Sequence, residues 1–239
     1  MSDFASASES ASTSDSASEL AYLGIRRMLA AGELLPGQRL SQSRLARQLR
    51  CSPMPIVEAM RRLESDGLLV KQARKQARVR KLSRDDLDEL YLLREALETV
   101  IARLAAERIT PEEAKNLQEL SVAYEAVWAS IHDDSPADIA IHHYIAECAR
   151  SPLLKSELER FRLIELTAGR HLMNRTTRSG HPHSHRALVQ AIIDHDTDSA
   201  EYLMKKHIQN GYEEARRDFD NLPEKPRAVR GRPVPRKNT

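Results

Sequence analysis

From residue 83 to residue 220 the chain starts helix after helix and offers no competing strand pattern, and this constrains its fold more than any other feature. Ser83 with Asp86, Thr110 with Glu113 and Ser135 with Asp138 have the spacing of a capping box, in which a hydroxyl and an acid satisfy each other's backbone donors. Pro111 and Pro136 stand at first helical positions, and Ser151-Pro152 and His181-Pro182 read as further starts. Helices fit at about 84–108, 111–131, 136–150, 152–174, 182–195 and 198–219. The expectation for residues 83–220 is an all-α bundle of six to seven helices.

The stretch before it has a different grammar. Leu20, Leu23, Met28 and Leu29 make an amphipathic segment that stops at Gly32. Ser41 is a good N-cap for a short helix ending near Arg50, and Ser52-Pro53 opens another that Gly67 closes. Strand-like alternation follows at 68–72 and 77–81, around the basic tip Arg74-Lys75-Gln76. Residues 20–82 thus read helix, helix, helix and hairpin, in a module bounded at 18–82; periodicity alone leaves a small basic helical domain as open a reading as a DNA-binding one. Residues 1–17, rich in Ser and Ala, and the basic tail 221–239 bury too little apolar surface to offset their ordering entropy and are expected to be disordered.

Net charge is +2, but residues 24–84 hold fifteen basic and four acidic side chains, whereas residues 85–220 hold sixteen basic and twenty-six acidic ones. A basic module joined to an acidic one fits a nucleic-acid binder attached to a domain of another kind. Cys51 and Cys148 lie in separate modules without metal-ligand spacing, which excludes a disulfide framework and suggests a reducing compartment. No apolar run approaches the roughly twenty residues of a membrane span, and the N-terminus does not read as a signal peptide. The expected location is the cytoplasm, at the nucleoid through DNA.

In residues 41–60, Leu45, Ala46 and Leu49 form the inner face of a first helix, and Ile56, Ala59 and Met60 that of a second. A helix-turn-helix sets the second in the major groove, while Arg44, Arg47, Arg61 and Arg62 are left to meet phosphates. The run from Leu35-Pro36-Gly37 through Leu45-Ala46 to Pro55-Ile56-Val57-Glu58-Ala59-Met60-Arg61-Arg62-Leu63, ending Asp66-Gly67-Leu68, resembles the winged helix-turn-helix of the GntR family. The resemblance implies a double-stranded DNA operator as partner. DNA contacts are expected from Ser43, Arg44, Arg47, Arg50, Ser52, Met54, Arg74 and Lys75. The chain departs from the family at Gln42 (usually Glu), Arg50 and Gln76 (usually Gly), and Pro53 and Val57 (usually Arg). The last two remove side chains suited to bidentate contact with guanine or phosphate, so no family operator is transferred.

Of the nine histidines, three lie on apolar helix faces. His142 follows Asp138 by one turn, His185 shares a face with Leu188, Val189 and Ile192, and His207 follows Leu203 at i+4. Helices that each turn a His or an acid inward are how bundles build metal sites. Three neutral imidazoles and a carboxylate suit Zn, Ni, Fe or Mn and leave coordination positions open. Each residue has a plainer alternative: Asp138 a capping-box acid, each His a hydrogen-bonded core residue. The segments around Asp138 and His142, Ser184-His185-Arg186-Ala187-Leu188 and Met204-Lys205-Lys206-His207-Ile208 resemble signature stretches of the FadR C-terminal-type (FCD) effector domain. That resemblance implies that Asp138, His142, His185 and His207 are the ligands of a divalent transition metal.

Leu90-Tyr91-Leu92-Leu93-Arg94-Glu95 looks like that domain's first helix, and Arg94 is the candidate for an anion contact, its alternative being an i+4 ion pair with Glu98. The function implied is a homodimeric, ligand-responsive transcriptional regulator, read as a repressor, whose small carboxylate effector completes the metal's coordination. Two readings compete: a metal-dependent enzyme on the helical bundle, disfavoured by the absence of a general-base motif, and a sensor whose altered head has lost specific DNA binding.

Overall fold

The computed structural model describes residues 3–71, 76–131, 135–173 and 185–221. Helix α1 (Asp3–Ala31) packs on α3 (Pro53–Ser65), with α2 (Gln42–Leu49) beside them. Tyr22, Ile25 and Leu29 of α1, Leu45 of α2 and Ile56, Met60 and Leu63 of α3 are buried in one core. Gly24 lets α2 approach closely, because a Cβ there would lie 2.8 Å from Leu49 Cδ2. Helix α1 also extends back to Asp3, through the stretch expected to be disordered. The reason is local: alanine is the best helix former, and each i→i−4 bond closes within the segment, so the packed turns around Tyr22 can propagate backwards.

Ser41 caps α2 by accepting the Arg44 N–H at 3.4 Å. After α2, Arg50 adopts a left-handed conformation (φ 53°, ψ 42°), and its N–H reaches the Ala46 and Arg47 carbonyls. Pro53 is the first residue of α3, as expected. Strands β1 (Leu69–Val70) and β2 (Arg78–Val79) pair antiparallel, Leu69 opposite Val79 and Val70 opposite Arg78. Residues 37–40 lie along β2, with the Leu40 N–H on the Ala77 carbonyl and the Val79 N–H on the Gln38 carbonyl. This is a winged helix-turn-helix. Its wing tip, with Arg74 and Lys75, lies outside the described residues.

The rest is helical: α4 (Arg84–Arg108), α5 (Pro111–Ile131), α6 (Ser135–Cys148), α7 (Pro152–Met173), α8 (Arg186–Ile193) and α9 (Thr197–Asp220). Ser83 and Asp86 form the expected capping box, and Thr110 and Glu113 exchange the same pair of bonds. The bounds follow the sequence reading except at α8, expected from 182, of which residues 182–184 fall outside the described part. Helix α4 is the spine, with α6, α7, α8 and α9 packed around it. Leu87, Ile101, Leu117, Tyr124, Ile141, Ile145 and Ile192 fill the bundle core.

Helix α7 belongs to both halves. Leu158 lies in the bundle core, whereas Leu163, Ile164 and the flanking Phe161 join the core of the winged head, together with Leu90 of α4. No helix among the described residues is long and apolar enough to cross a membrane.

Candidate functional site

Helix periodicity sets Asp138 and His142 one turn apart on α6, His185 stands immediately before α8, and His207 lies midway along α9. Burying Ile141, Leu188, Val189, Met204 and Ile208 turns these polar groups toward one another. His142 Nε2 is 3.1 Å from His207 Nε2 and 3.3 Å from His185 Nε2. Asp138 Oδ1 lies 3.3 Å from His185 Nε2, 3.6 Å from His142 Nε2 and 3.9 Å from His207 Nε2. All four ligand atoms fall within 4.8 Å of one another.

These separations fit a metal. With bonds of about 2.0–2.1 Å, neighbouring nitrogens around one ion lie roughly 2.9–3.4 Å apart. The tautomers fit too. His142 turns its other nitrogen, Nδ1, to the Glu98 carboxylate, which holds the proton there and leaves Nε2 with a free lone pair facing its neighbours. His185 is fully buried, with the ring of Tyr124 edge-on at 4.7 Å between centroids. Asp138 and His207 keep partial exposure, at 23% and 12% of their side chains, so the cluster is approached from their side.

Burial opposes charge on every member, and the neighbours decide the outcome. It lowers the pKa of His185, and it lowers that of His207 further, aided by the other two imidazoles. Burial opposes the charged form of His142 as well, but Glu98 and Asp138 outweigh it and raise this ring above the usual imidazole value. Asp138 stays well below the carboxylate range because His142 and Arg162 overcome its desolvation.

A second, fully charged layer backs the cluster. Arg94, only 4% exposed, gives Nε to Glu98 Oε1 at 2.8 Å and NH1 to Glu165 Oε1 at 2.8 Å. Its two carboxylates include the i+4 partner anticipated as the alternative to an anion contact. The guanidinium that faces the cluster is instead Arg162 of α7, with NH1 3.4 Å from Asp138 Oδ2 and 3.2 Å from Glu165 Oε2. Arg162 is 6% exposed, and its buried Nε and NH2 have no hydrogen-bond partner among the described residues. Sequence reasoning missed Arg162 and the second role of Glu98. The available signal was a charged pair at i and i+3, Arg162 and Glu165, set among the apolar residues from Phe161 to Leu166.

Residues 89–210 match the FCD domain, and residues 17–79 match the bacterial regulatory proteins of the gntR family. The chain belongs to the GntR family and carries an FCD effector domain. An uncharacterised helix-turn-helix regulator, YdhC of Bacillus subtilis, is 30% identical over 58% of this chain and 63% of its own length. A probable D-xylose utilisation operon repressor of Paenarthrobacter nicotinovorans is 26% identical over 75% of this chain and 80% of its own. The fold matches that of Escherichia coli McbR, with a TM-score of 0.73 at 22% identity, over 85% of this chain and 98% of McbR. These relatives are transcription regulators, and this GntR chain is one as well, not an enzyme; the metalloenzyme reading is set aside on that ground.

On the GntR head, Ser43, Arg44, Arg47, Arg50, Ser52 and Met54 are all exposed. Ser43 shares a 3.0 Å hydrogen bond with Ser41, whereas the Ser52 hydroxyl makes no capping bond. Arg61 is exposed near them and lines a groove of about 550 Å³, with Ser43 and Val57, between the starts of α2 and the wing.

Proposed function

We propose that this regulator senses a small carboxylate at a divalent metal held by Asp138, His142, His185 and His207, and that occupancy alters its grip on an operator. The observation that carries this reading is the convergence of three imidazole nitrogens and one carboxylate oxygen within 4.8 Å. Charge supports it further. Arg94 and Arg162 face Glu98, Glu165 and Asp138, leaving the group with one negative charge in excess. A divalent ion at the cluster turns that excess into one positive charge, which an organic or sugar acid with one carboxylate neutralises. The ion, of the Zn, Ni, Fe or Mn type, supplies a Lewis-acidic centre for a carboxylate oxygen. Arg162 holds the other oxygen with Nε and NH2, which have no hydrogen-bond partner among the described residues, NH2 lying 3.8 Å from Glu98 Oε2.

The mode is repression, the mode named for the Paenarthrobacter relative. The active species is a homodimer, since two winged heads related by a two-fold axis match two half-sites of duplex DNA. The cytoplasm, at the nucleoid, is where that DNA is met.

The test is elemental analysis of purified protein beside His142→Ala and His185→Ala, followed by melting with small carboxylates before and after chelation. About one metal per chain, lost in both variants, with carboxylate stabilisation that vanishes on chelation, is the expected result. Wild-type protein that stays metal-free after reloading would sink the sensor reading and leave the four residues as a polar core.

A further inference from the structure

The reading helix of this GntR head carries unusual chemistry where bases are read. A helix-turn-helix presents the N-terminal residues of its second helix to base edges in the major groove. Here those residues are Pro53, Met54 and Val57, and the only charged side chain from Pro53 to Met60 is Glu58, which is bound by the Ser18 hydroxyl. Met54 is 64% exposed, on a face it shares with Val57 one turn along. Val57 opens onto the groove that Arg61, Lys71, Ser43 and Glu64 line. The first arginine on this face, Arg61, stands a full turn beyond Val57.

Two facts decide what such a face can take. It is an apolar spot on a head that exposes Arg44, Arg47, Arg50 and Arg61, in a module with fifteen basic and four acidic residues over 24–84, so its surroundings favour a polyanion. Within the major groove, the only apolar group on any base edge is the C5-methyl of thymine. Guanine and cytosine under the same side chains would bury donors and acceptors with no partner, which opposes binding. We propose that Met54 and Val57 read thymine methyl groups, so that each half-site is specified at its centre by T·A pairs, while the surrounding arginines hold the phosphates.

The inference rests on DNA binding by the head and is tested separately from it. The full-length protein is used to select duplexes from a randomised library, and single thymines of the recovered duplex are then replaced by uracil, which removes only the methyl. One or two positions per half-site should lose about fourfold in affinity each, the equivalent of one buried CH₂. Met54→Ala, a change at an exposed position, should bind the parent duplex more weakly and no longer distinguish thymine from uracil at its position, with the salt dependence unchanged. The inference is overturned if uracil is tolerated at every position, if the recovered half-sites are centred on G·C pairs, or if salt-sensitive binding occurs with no sequence recovered. Absence of DNA binding at low salt would overturn the underlying reading as well.

Discussion

At the scale of single residues, the site is built from groups that would be unfavourable alone. His185 and His207 are held neutral by burial and His142 is drawn toward its charged form, so acidification acts on them in opposite directions. For His185 and His207 the unfolded chain takes up protons near pH 6.5 and the folded one does not. Their contribution to stability is therefore present above about pH 6.5 and lost as pH falls toward their lower folded values. His142, with its folded value raised, contributes fully below about pH 6.5 and loses that contribution as pH rises through the folded value. Two rings outweigh one, so chelated protein should melt at a lower temperature near pH 5.5 than near pH 7.5. His207→Gln should narrow the difference and His142→Gln widen it; melting curves at the two pH values check both. An equal difference in all three proteins would mean that these rings do not govern the acid response.

The second residue prediction concerns Arg162. Arg162→Gln keeps a hydrogen-bonding side chain but removes the charge beside Asp138. Metal content should stay near that of the wild type, while the stabilisation given by a carboxylate falls by about 1.5–3 kcal/mol, the range for a hydrogen bond to a charged group. Metal loss in this variant would instead make Arg162 a support for Asp138.

At the scale of elements, what could be read from sequence was what is encoded locally. The capping pairs Ser83–Asp86 and Thr110–Glu113 lie three residues apart and formed as read. The inward faces that carry His142 and His207 follow from a 3.6-residue period and needed no knowledge of their neighbours. Arg162 could not be placed this way, because a helical period tells which side of α7 is inward but not that α4 and α6 meet it there. At the Ser/Ala-rich start, composition gauges the burial available to a segment, whereas α1 continues from a turn that is already packed.

The turn between α2 and α3 supports a prediction of its own. Arg50 holds φ 53°, a conformation that places its Cβ close to its own backbone, at a position where the family usually carries glycine. Arg50→Gly should stabilise the protein by about 1 kcal/mol, raising the melting temperature by roughly 2–4 °C. It also removes an exposed cation beside the recognition helix, so DNA affinity at low salt should fall and the salt slope should shrink by about one. Calorimetry and binding across a salt series read the two effects independently. A gain in stability with unchanged salt dependence would mean that Arg50 stands clear of the phosphates.

At the scale of the whole molecule, the question is how a buried cluster in one half can act on a reading helix in the other. Helix α7 is the physical link. Arg162 and Glu165 join the charged layer behind the Asp138–His cluster, while Phe161, Leu163 and Ile164, interleaved with them, pack into the head's core. Ile164 lies against the turn at Gly67 that ends the recognition helix, and Arg160 Nε reaches the Asp66 carbonyl at 3.5 Å. A carboxylate that pulls on Arg162 therefore acts on a helix that cannot shift without disturbing the end of α3. Coupling between sites of this kind commonly changes affinity about 5- to 150-fold, and it requires the ligand to favour one position of α7 over another. Ile164→Ala should weaken the packing on the head's side at its contact with the end of α3, with a stability loss of at least about 2 kcal/mol. It should leave metal content and carboxylate binding intact. The expected outcome is that the carboxylate no longer changes DNA affinity, although the variant still binds both. If the ligand shifts DNA affinity in Ile164→Ala as much as in the wild type, the signal does not travel through α7 but through the pairing of two chains.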